Sequence, residues 1–324
     1  MEKDRAYAIV YELCRRCQMD IVAEAEREMF EEGLGRAVEQ KDSKALFNWI
    51  MYPASYQGVS DRIADSYIEQ YGNITFLQIS RALNKAKPMC SKLTGFEEFQ
   101  GCGFVKGNET CNNPVMYSRC PVPTHPLRNG RLNIMAYSLY FFIRDVCQRD
   151  LVGFIDQIAL QDKPARERLD ELVGQLSRVY GMQGKIVHMI FSAFLLGLGR
   201  LKPHWRELGT VAIAIDTLVH NFLHRTGILR CYSMEHKFSS CYGPRGCRAV
   251  IEDLAAKIDC SSFHPNYPVN FPRFVQLAIW LFCSEGGESI CNGRMIEDTT
   301  PCENTDCPVY DLCDRIPLFE RGGV

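Results

Sequence analysis

The spacing of apolar residues is the feature that most constrains the fold of this 324-residue chain. In nine stretches these residues recur every three or four positions, which is the period of an α-helix with one buried face. No convincing series of alternating apolar and polar residues predicts strands. We therefore expect an all-α fold. The stretches are residues 5–29, 45–50, 60–71, 132–148, 166–180, 184–196, 212–226, 247–257 and 272–283.

Composition excludes several classes of protein. Hydrophobic residues make up 46% of the chain and charged residues 23%, which is typical of a globular protein rather than a disordered one. The net charge of −2 argues against a protein that coats nucleic acid by charge alone. The longest apolar run, residues 187–199, is shorter than the roughly 20 residues that a membrane span requires. No secretory signal is visible, so we expect a cytoplasmic protein, associated with the nucleoid if the source is bacterial.

Sixteen cysteines are unusual in a chain of this length. Without a signal peptide, metal or cluster ligation is a better interpretation than disulfides. Two predicted loops, residues 95–130 and 286–317, are rich in cysteine. The second has the pattern Cys-x10-Cys-x4-Cys-Pro-x4-Cys, which could surround an iron–sulfur cluster with one thiolate per iron. Structural zinc also takes four cysteines, so spacing alone leaves the metal open. The four residues are Cys291, Cys302, Cys307 and Cys313.

An apolar run ends in an acidic residue and a hydroxyl, Asp216 and Thr217, just before a helical pattern. A carboxylate at this position either caps the helix or serves as a catalytic base. The surrounding sequence is Ala212-Ile-Ala-Ile-Asp-Thr-Leu-Val-His-Asn-Phe-Leu-His-Arg-Thr226. Together with the loop that ends Cys307-Pro-Val-Tyr-Asp-Leu-Cys313, it resembles the helix-hairpin-helix (HhH-GPD) DNA glycosylases, and most closely the endonuclease III-like branch with a [4Fe-4S] cluster loop.

The resemblance extends patchily over residues 45–313 and implies a two-lobed helix-hairpin-helix fold. Residues 1–44 would pack with the cluster lobe, residues 45–205 would form a six-helix lobe with a Cys-rich insertion at about 95–130, and residues 206–324 would carry the catalytic aspartate and the cluster. The implied protein is a monomeric base-excision glycosylase with AP-lyase activity and no membrane association. It would act on duplex DNA that contains a damaged or modified base.

The resemblance also assigns site residues. Asp216 aligns with the catalytic aspartate, Lys185 with the Schiff-base lysine of bifunctional members, and Gln57 with the glutamine that probes the duplex. A carboxylate stabilises the positive charge that develops on the deoxyribose, and a neutral lysine amine attacks C1′ to form an imine. Residues assigned to DNA binding are Gly181, Gln183 and Gly184 of the hairpin, Gln57, and Arg200 and Lys202 of a later loop; the cluster ligands are Cys291, Cys302, Cys307 and Cys313.

The sequence departs from the family pattern at the hairpin. Gln183 replaces its second glycine, and the 31-residue separation of Lys185 and Asp216 is longer than is usual. The alternative hairpin Gly197-Leu-Gly-Arg-Leu-Lys202 would make Lys202 the reserve lysine. Two alternative functions also stay open. One is an enzyme of the same fold that acts on hypermodified bases, as in phage-type base modification, and the other is a non-catalytic iron–sulfur protein that binds DNA or senses redox state.

Further cysteines could form a second metal site. Cys102, Cys111 and Cys120, with His125, offer a zinc ligand set in the first Cys-rich loop. Two weaker candidates are the group of Cys231, Cys241 and Cys247, and the pair His220 and His224, which lie one helical turn apart.

Overall fold

The computed structural model describes residues 2–56, 61–85, 90–105, 110–111 and 130–318. Over this part the chain is predominantly α-helical, so the predicted all-α class is confirmed. One antiparallel pair of two-residue strands accompanies the helices: β1 (Phe104–Val105) and β2 (Thr110–Cys111). Among the described helices, none has the length and apolar character that crossing a membrane would require.

The chain packs into two units. The first unit consists of Met1–Arg27, Phe191–Gly197 and Arg206–Val324, and the second consists of Glu28–Ile190 and Leu198–Trp205. Three helices have residues in both units: α2 (Ile21–Glu31), α11 (Lys185–Gly197) and α12 (Pro203–Thr210).

The first unit is built around α16, whose residues are almost all buried. Helices α1, α13 and α15 contact it, and Phe222 of α13 meets Phe282 of α16 with ring centroids 5.8 Å apart. Burial of such aromatic faces is the main force that holds these helices together. The helices that lie wholly in this unit are α1 (Glu2–Arg16), α13 (Thr217–Arg225), α14 (Ile228–Cys231), α15 (Cys247–Ala255) and α16 (Pro272–Cys283).

The second unit has a core rich in phenylalanine. Phe142 lies between the rings of Phe96 and Phe154, with centroids 5.4 Å and 5.5 Å away. Phe142 begins a π-helical segment, Phe142–Val146, that follows α8 directly. The helices that lie wholly in this unit are α3 (Leu34–Glu39), α4 (Ser43–Ala54), α5 (Asp61–Tyr71), α6 (Phe76–Lys85), α7 (Phe96–Phe99), α8 (Gly130–Phe141), α9 (Leu151–Ala159) and α10 (Ala165–Leu176).

Two of the predicted helical stretches differ from the structure. The stretch 5–29 is divided into α1 and α2, because the Asp20 carboxylate accepts hydrogen bonds from the N–H groups of Val22 and Ala23 and so begins a new helix. The stretch 212–226 is helical only from Thr217, since Asp216 has an extended backbone and caps α13. The predicted loop 286–317 is confirmed apart from a single 3-10 turn, Tyr310–Leu312.

Candidate functional site

Four cysteines of the carboxyl-terminal loop face one pocket in the first unit. Cys291 follows α16, and the chain then returns to the end of α13, where the Ile316 N–H donates to the carbonyl of Arg225 at 2.8 Å. This return brings the later cysteines opposite Cys291. The pocket walls between the thiols are largely apolar. The lining includes Cys291, Cys302, Cys307 and Cys313, together with Phe222, Ile290, Ile296 and Val309.

Positive and hydrogen-bonding groups lie against two of these sulfur atoms. The Arg225 guanidinium is 3% exposed, lies 3.5 Å from Cys291 Sγ and forms an ion pair with Asp298. The backbone N–H of Arg315 donates to Cys313 Sγ at 3.4 Å. A hydrogen bond from the Cys283 thiol and the Arg225 charge lower the pKa of Cys291, although burial opposes ionisation. These are the contacts that stabilise thiolate ligands.

Asp216 sits at the start of α13 with both carboxylate oxygens engaged. Oδ1 accepts from the Val219 N–H at 3.0 Å, which confirms the capping interpretation. Oδ2 accepts from Trp280 Nε1 at 3.0 Å. Just before it, the Ile215 N–H donates to the Tyr242 hydroxyl at 2.9 Å. The carboxylate is partly exposed, and each oxygen keeps a lone pair for another partner, so capping leaves it available for chemistry.

The predicted hairpin lies in the second unit, where α11 begins at Lys185. Gly181 and Gly184 have φ angles of +79° and +45°, in the left-handed region that favours glycine. The side chains of Gln183 and Lys185 are exposed. This arrangement is a tight turn followed by a helix start, and within it the Ile186 N–H donates to the carbonyl of Gln183 at 3.1 Å.

The two basic residues of the later loop have partners within the second unit. Lys202 Nζ lies 2.6 Å from one oxygen of Asp156, and His204 Nε2 lies 2.8 Å from the other. Arg200 is exposed, and its guanidinium stacks 4.8 Å from the centre of the Phe30 ring. The charge of Lys202 is therefore largely balanced by Asp156, whereas Arg200 keeps its charge toward solvent.

Several predicted residues lie outside the part of the chain that the structure describes. Gln57, Cys120 and His125 are among them, as is the side chain of Cys111. Cys102 is described and partly exposed. The predicted zinc set of the first Cys-rich loop consequently stays a prediction.

A second cysteine-containing group lies beside α13, and it could hold a metal ion. Its ligand atoms, from His220, His236, Cys241 and Cys247, all lie within 4.8 Å of one another. Among the described residues, this is the one set of three or more metal-binding side chains whose ligand atoms are close enough to share an ion. The sulfur atoms of the four cysteines in the carboxyl-terminal loop do not form such a close set.

Only part of this group is predicted from the sequence. Cys231 is expected to join Cys241 and Cys247, but it instead accepts a hydrogen bond from Arg5 at 3.2 Å. His236 is not among the predicted ligands. The signal that could have found it is the short spacing His-x4-Cys-x5-Cys over residues 236–247.

Comparisons with known proteins identify no relative of this chain. No protein-family model, curated protein or solved structure matches the chain.

Proposed function

We propose that the protein is a DNA glycosylase with AP-lyase activity, which cleaves the N-glycosidic bond of a damaged or modified base. The observation that carries the proposal is that one helix connects the two motifs of the resemblance. Asp216 caps the start of helix α13, and the helix ends at Arg225, whose guanidinium touches a thiol of the four-cysteine pocket. The aspartate segment and the carboxyl-terminal cysteine loop, which are far apart in sequence, thus lie at the two ends of one helix. This proximity supports the resemblance on which the proposal rests.

Asp216 is suited to stabilise an oxocarbenium-like transition state. Hydrogen bonds from Val219 and Trp280 fix its carboxylate, so little reorganisation is needed when positive charge develops on the sugar. The same carboxylate can orient or deprotonate an attacking nucleophile. Its partial exposure supports this role, because a nucleotide extruded from the duplex must reach it.

The four-cysteine pocket suits a [4Fe-4S] cluster better than a single zinc ion. Tetrahedral zinc requires its four sulfur ligands to lie about 3.8 Å apart, whereas these thiols face one pocket without forming such a close group. The Arg225 charge and the Arg315 N–H supply the electrostatic stabilisation that cluster sulfurs need. When bound, the cluster would cross-link the loop and thereby fix the end of α13.

Lys185 is the candidate for the imine-forming nucleophile. It stands at the start of α11 after a glycine turn, and its amine is exposed to an incoming substrate. A neutral amine at this position would attack C1′ to form the imine.

Borohydride trapping on a duplex with one abasic site tests the lyase activity. We expect the wild type to form a covalent adduct and Lys185→Ala to form none. Lys44→Ala is the matched control, because Lys44 is also exposed in the first turn of a helix of the same unit, and it should trap normally. Absence of an adduct with the wild type would refute the lyase activity.

Base excision tests the glycosylase activity separately. A panel of duplexes, each with one oxidised, deaminated, alkylated or hypermodified base, should show release of free base by the wild type and none by Asp216→Asn. Product analysis on the panel also separates a repair enzyme from one that acts on hypermodified bases. No release of base by the wild type from any duplex that it binds would favour a non-catalytic DNA-binding protein, whereas equal release by the wild type and Asp216→Asn would refute the role of Asp216.

A further inference from the structure

We propose that His220, His236, Cys241 and Cys247 bind one structural zinc ion, distinct from the metal of the four-cysteine pocket. The ligands come from three local elements. His220 lies on α13, His236 and Cys241 lie on the connection that follows α14, and Cys247 is the first residue of α15. The ion would therefore join two helices of the first unit to the loop between them.

Three of the distances between ligand atoms are close to those of tetrahedral zinc. Zinc–sulfur bonds of about 2.3 Å and zinc–nitrogen bonds of about 2.0–2.1 Å place sulfur and nitrogen ligands about 3.5 Å apart. Here His220 Nδ1 lies 3.3 Å from the sulfur atoms of both Cys241 and Cys247. His236 Nε2 lies 3.4 Å from Cys247 Sγ. The four atoms are thus arranged for an ion at their centre.

The orientation of His236 is a second, independent observation. Its Nδ1 lies 2.6 Å from the carbonyl oxygen of Met234. A carbonyl can only accept a hydrogen bond, so Nδ1 carries the proton and Nε2 presents its lone pair to the thiols. A backbone carbonyl that orients the distal ring nitrogen is the usual support of a zinc-bound histidine.

Burial and backbone packing hold the two cysteines together. His220, Cys241 and Cys247 are buried, and the Arg248 N–H donates to the Cys241 carbonyl at 3.0 Å across the loop. At Gly246, a Cβ atom would collide with the carbonyl oxygens of Ser240 and Cys241. Glycine therefore permits the close turn that brings the thiols to the same point.

The ligand chemistry selects zinc among the common metals. Two thiolates and two imidazoles in a tetrahedral set are typical of structural zinc sites. A two-iron Rieske centre also takes two histidines and two cysteines, but it places the histidines on one iron and the cysteines on the other. Here His220 is equally close to both cysteines, so the four ligands share a single ion.

The zinc ion would fix the position of Asp216 through residues that lie before and after it in the sequence. His220 lies one helical turn after Asp216, and Tyr242, the neighbour of Cys241, accepts the hydrogen bond from Ile215 just before it. Both sides of the Asp216 position are thus tied to the zinc loop. Zinc binding itself is independent of the proposed glycosylase activity; only this consequence for Asp216 rests on it.

Metal analysis of the purified full-length protein tests the site. We expect one zinc per chain in the wild type, and X-ray absorption at the zinc edge should give two sulfur and two nitrogen ligands. This measurement is specific to the element, so iron in the four-cysteine pocket does not interfere. Zinc should be lost in Cys241→Ser and kept in Cys17→Ser, in which a partly buried cysteine of the same unit is changed.

His236→Cys provides a test that does not depend on loss of the fold. A cysteine can still ligate zinc, so this variant should keep the metal while its ligand shell changes to three sulfurs and one nitrogen. An unchanged shell in His236→Cys would overturn the proposal. So would a shell of four sulfurs in the wild type, or a zinc-free wild type with a Cys241–Cys247 disulfide. Zinc with the expected shell in a protein that excises no base would support the site and refute only the proposed function.

Discussion

The ion pair between Arg225 and Asp298 should stabilise the first unit far more than an ordinary surface pair. Arg225 is buried at the end of α13, between Asp298 and the thiol of Cys291. Substitution Arg225→Met keeps much of the side-chain volume and removes the charge. It leaves the Asp298 carboxylate without its cation and Cys291 without the positive charge that favours its thiolate.

The magnitude follows from burial. Removing one partner of a buried ion pair costs about 3–5 kcal/mol, because the other charge stays in a poorly solvated place. The Asp298 side chain is 30% exposed, so water recovers part of that cost. We therefore expect the free energy of unfolding to fall by about 2–3 kcal/mol. For a domain of this size, that change lowers the midpoint of thermal unfolding by about 4–12 °C.

Circular dichroism during heating of the metal-loaded protein measures this change. Arg294→Met is the matched control, because the Arg294–Glu285 pair belongs to the same unit and its side chains are 77% and 57% exposed. An exposed pair contributes about 1 kcal/mol or less, so the control should unfold close to the wild-type temperature. Equal shifts for Arg225→Met and Arg294→Met would refute the reasoning from burial.

Three further predictions concern the zinc loop, the aspartate and the second unit. Gly246→Ala should lose zinc because its Cβ collides with loop carbonyls, while Gly286→Ala, where a Cβ meets nothing within 4 Å, should retain it in metal analysis. Trp280→Phe removes a hydrogen bond to Asp216 that is worth about 1.5 kcal/mol. This variant should lower kcat for base excision about tenfold with little change in KM. An unchanged kcat would show that this hydrogen bond does not position the carboxylate. Burial opposes ionisation of Asp156, but hydrogen bonds from its lysine and histidine partners outweigh it and lower its pKa. The stability that this carboxylate contributes is therefore fully present above its unfolded-state pKa of about 3.9, and it is lost as the pH falls through the lower folded-state pKa. The unfolding temperature of Asp156→Asn should accordingly depend less on pH in this acidic range than that of the wild type.

The helical fold was predictable because its signal is local. Amphipathic helices such as α1 and α10 bury one face, and that face repeats in the sequence. Helices α7 and α14 have four residues each, too few to establish a period. The division of the first stretch at Asp20 was missed because one capping side chain there outweighs a continuous apolar pattern.

The two metal-ligand groups differ in how much the sequence reveals. The four cysteines of the carboxyl-terminal loop are close in sequence and free of an apolar stripe, so they could be identified as a group. The second group depends on tertiary structure, since His220 and Cys247 are separated by 27 positions and meet only when α13 and α15 both pack on α16. Helical spacing predicted His224 as the partner of His220, but the structure supplies His236 from a loop.

The partner of Lys202 was equally hidden. Its ion pair with Asp156 joins residues 46 positions apart, and no local pattern indicates it. A basic loop such as 200–206 therefore has an ambiguous meaning in sequence alone, because a lysine that faces a carboxylate and one that faces a phosphate have the same local surroundings.

Helix α13 explains why the two proposed metals should act on one carboxylate. It has only nine residues, and a helix this short is not stable in water without tertiary contacts. Its position must therefore come from groups that hold its ends. His220 and the Tyr242 contact hold the start, while Arg225 and the returning loop hold the end. Because a rigid helix transmits displacement along its axis, loss of either metal should move Asp216. Removal of zinc alone, with the iron content unchanged, should therefore reduce base excision through the position of the carboxylate and without any change in its immediate hydrogen-bond donors.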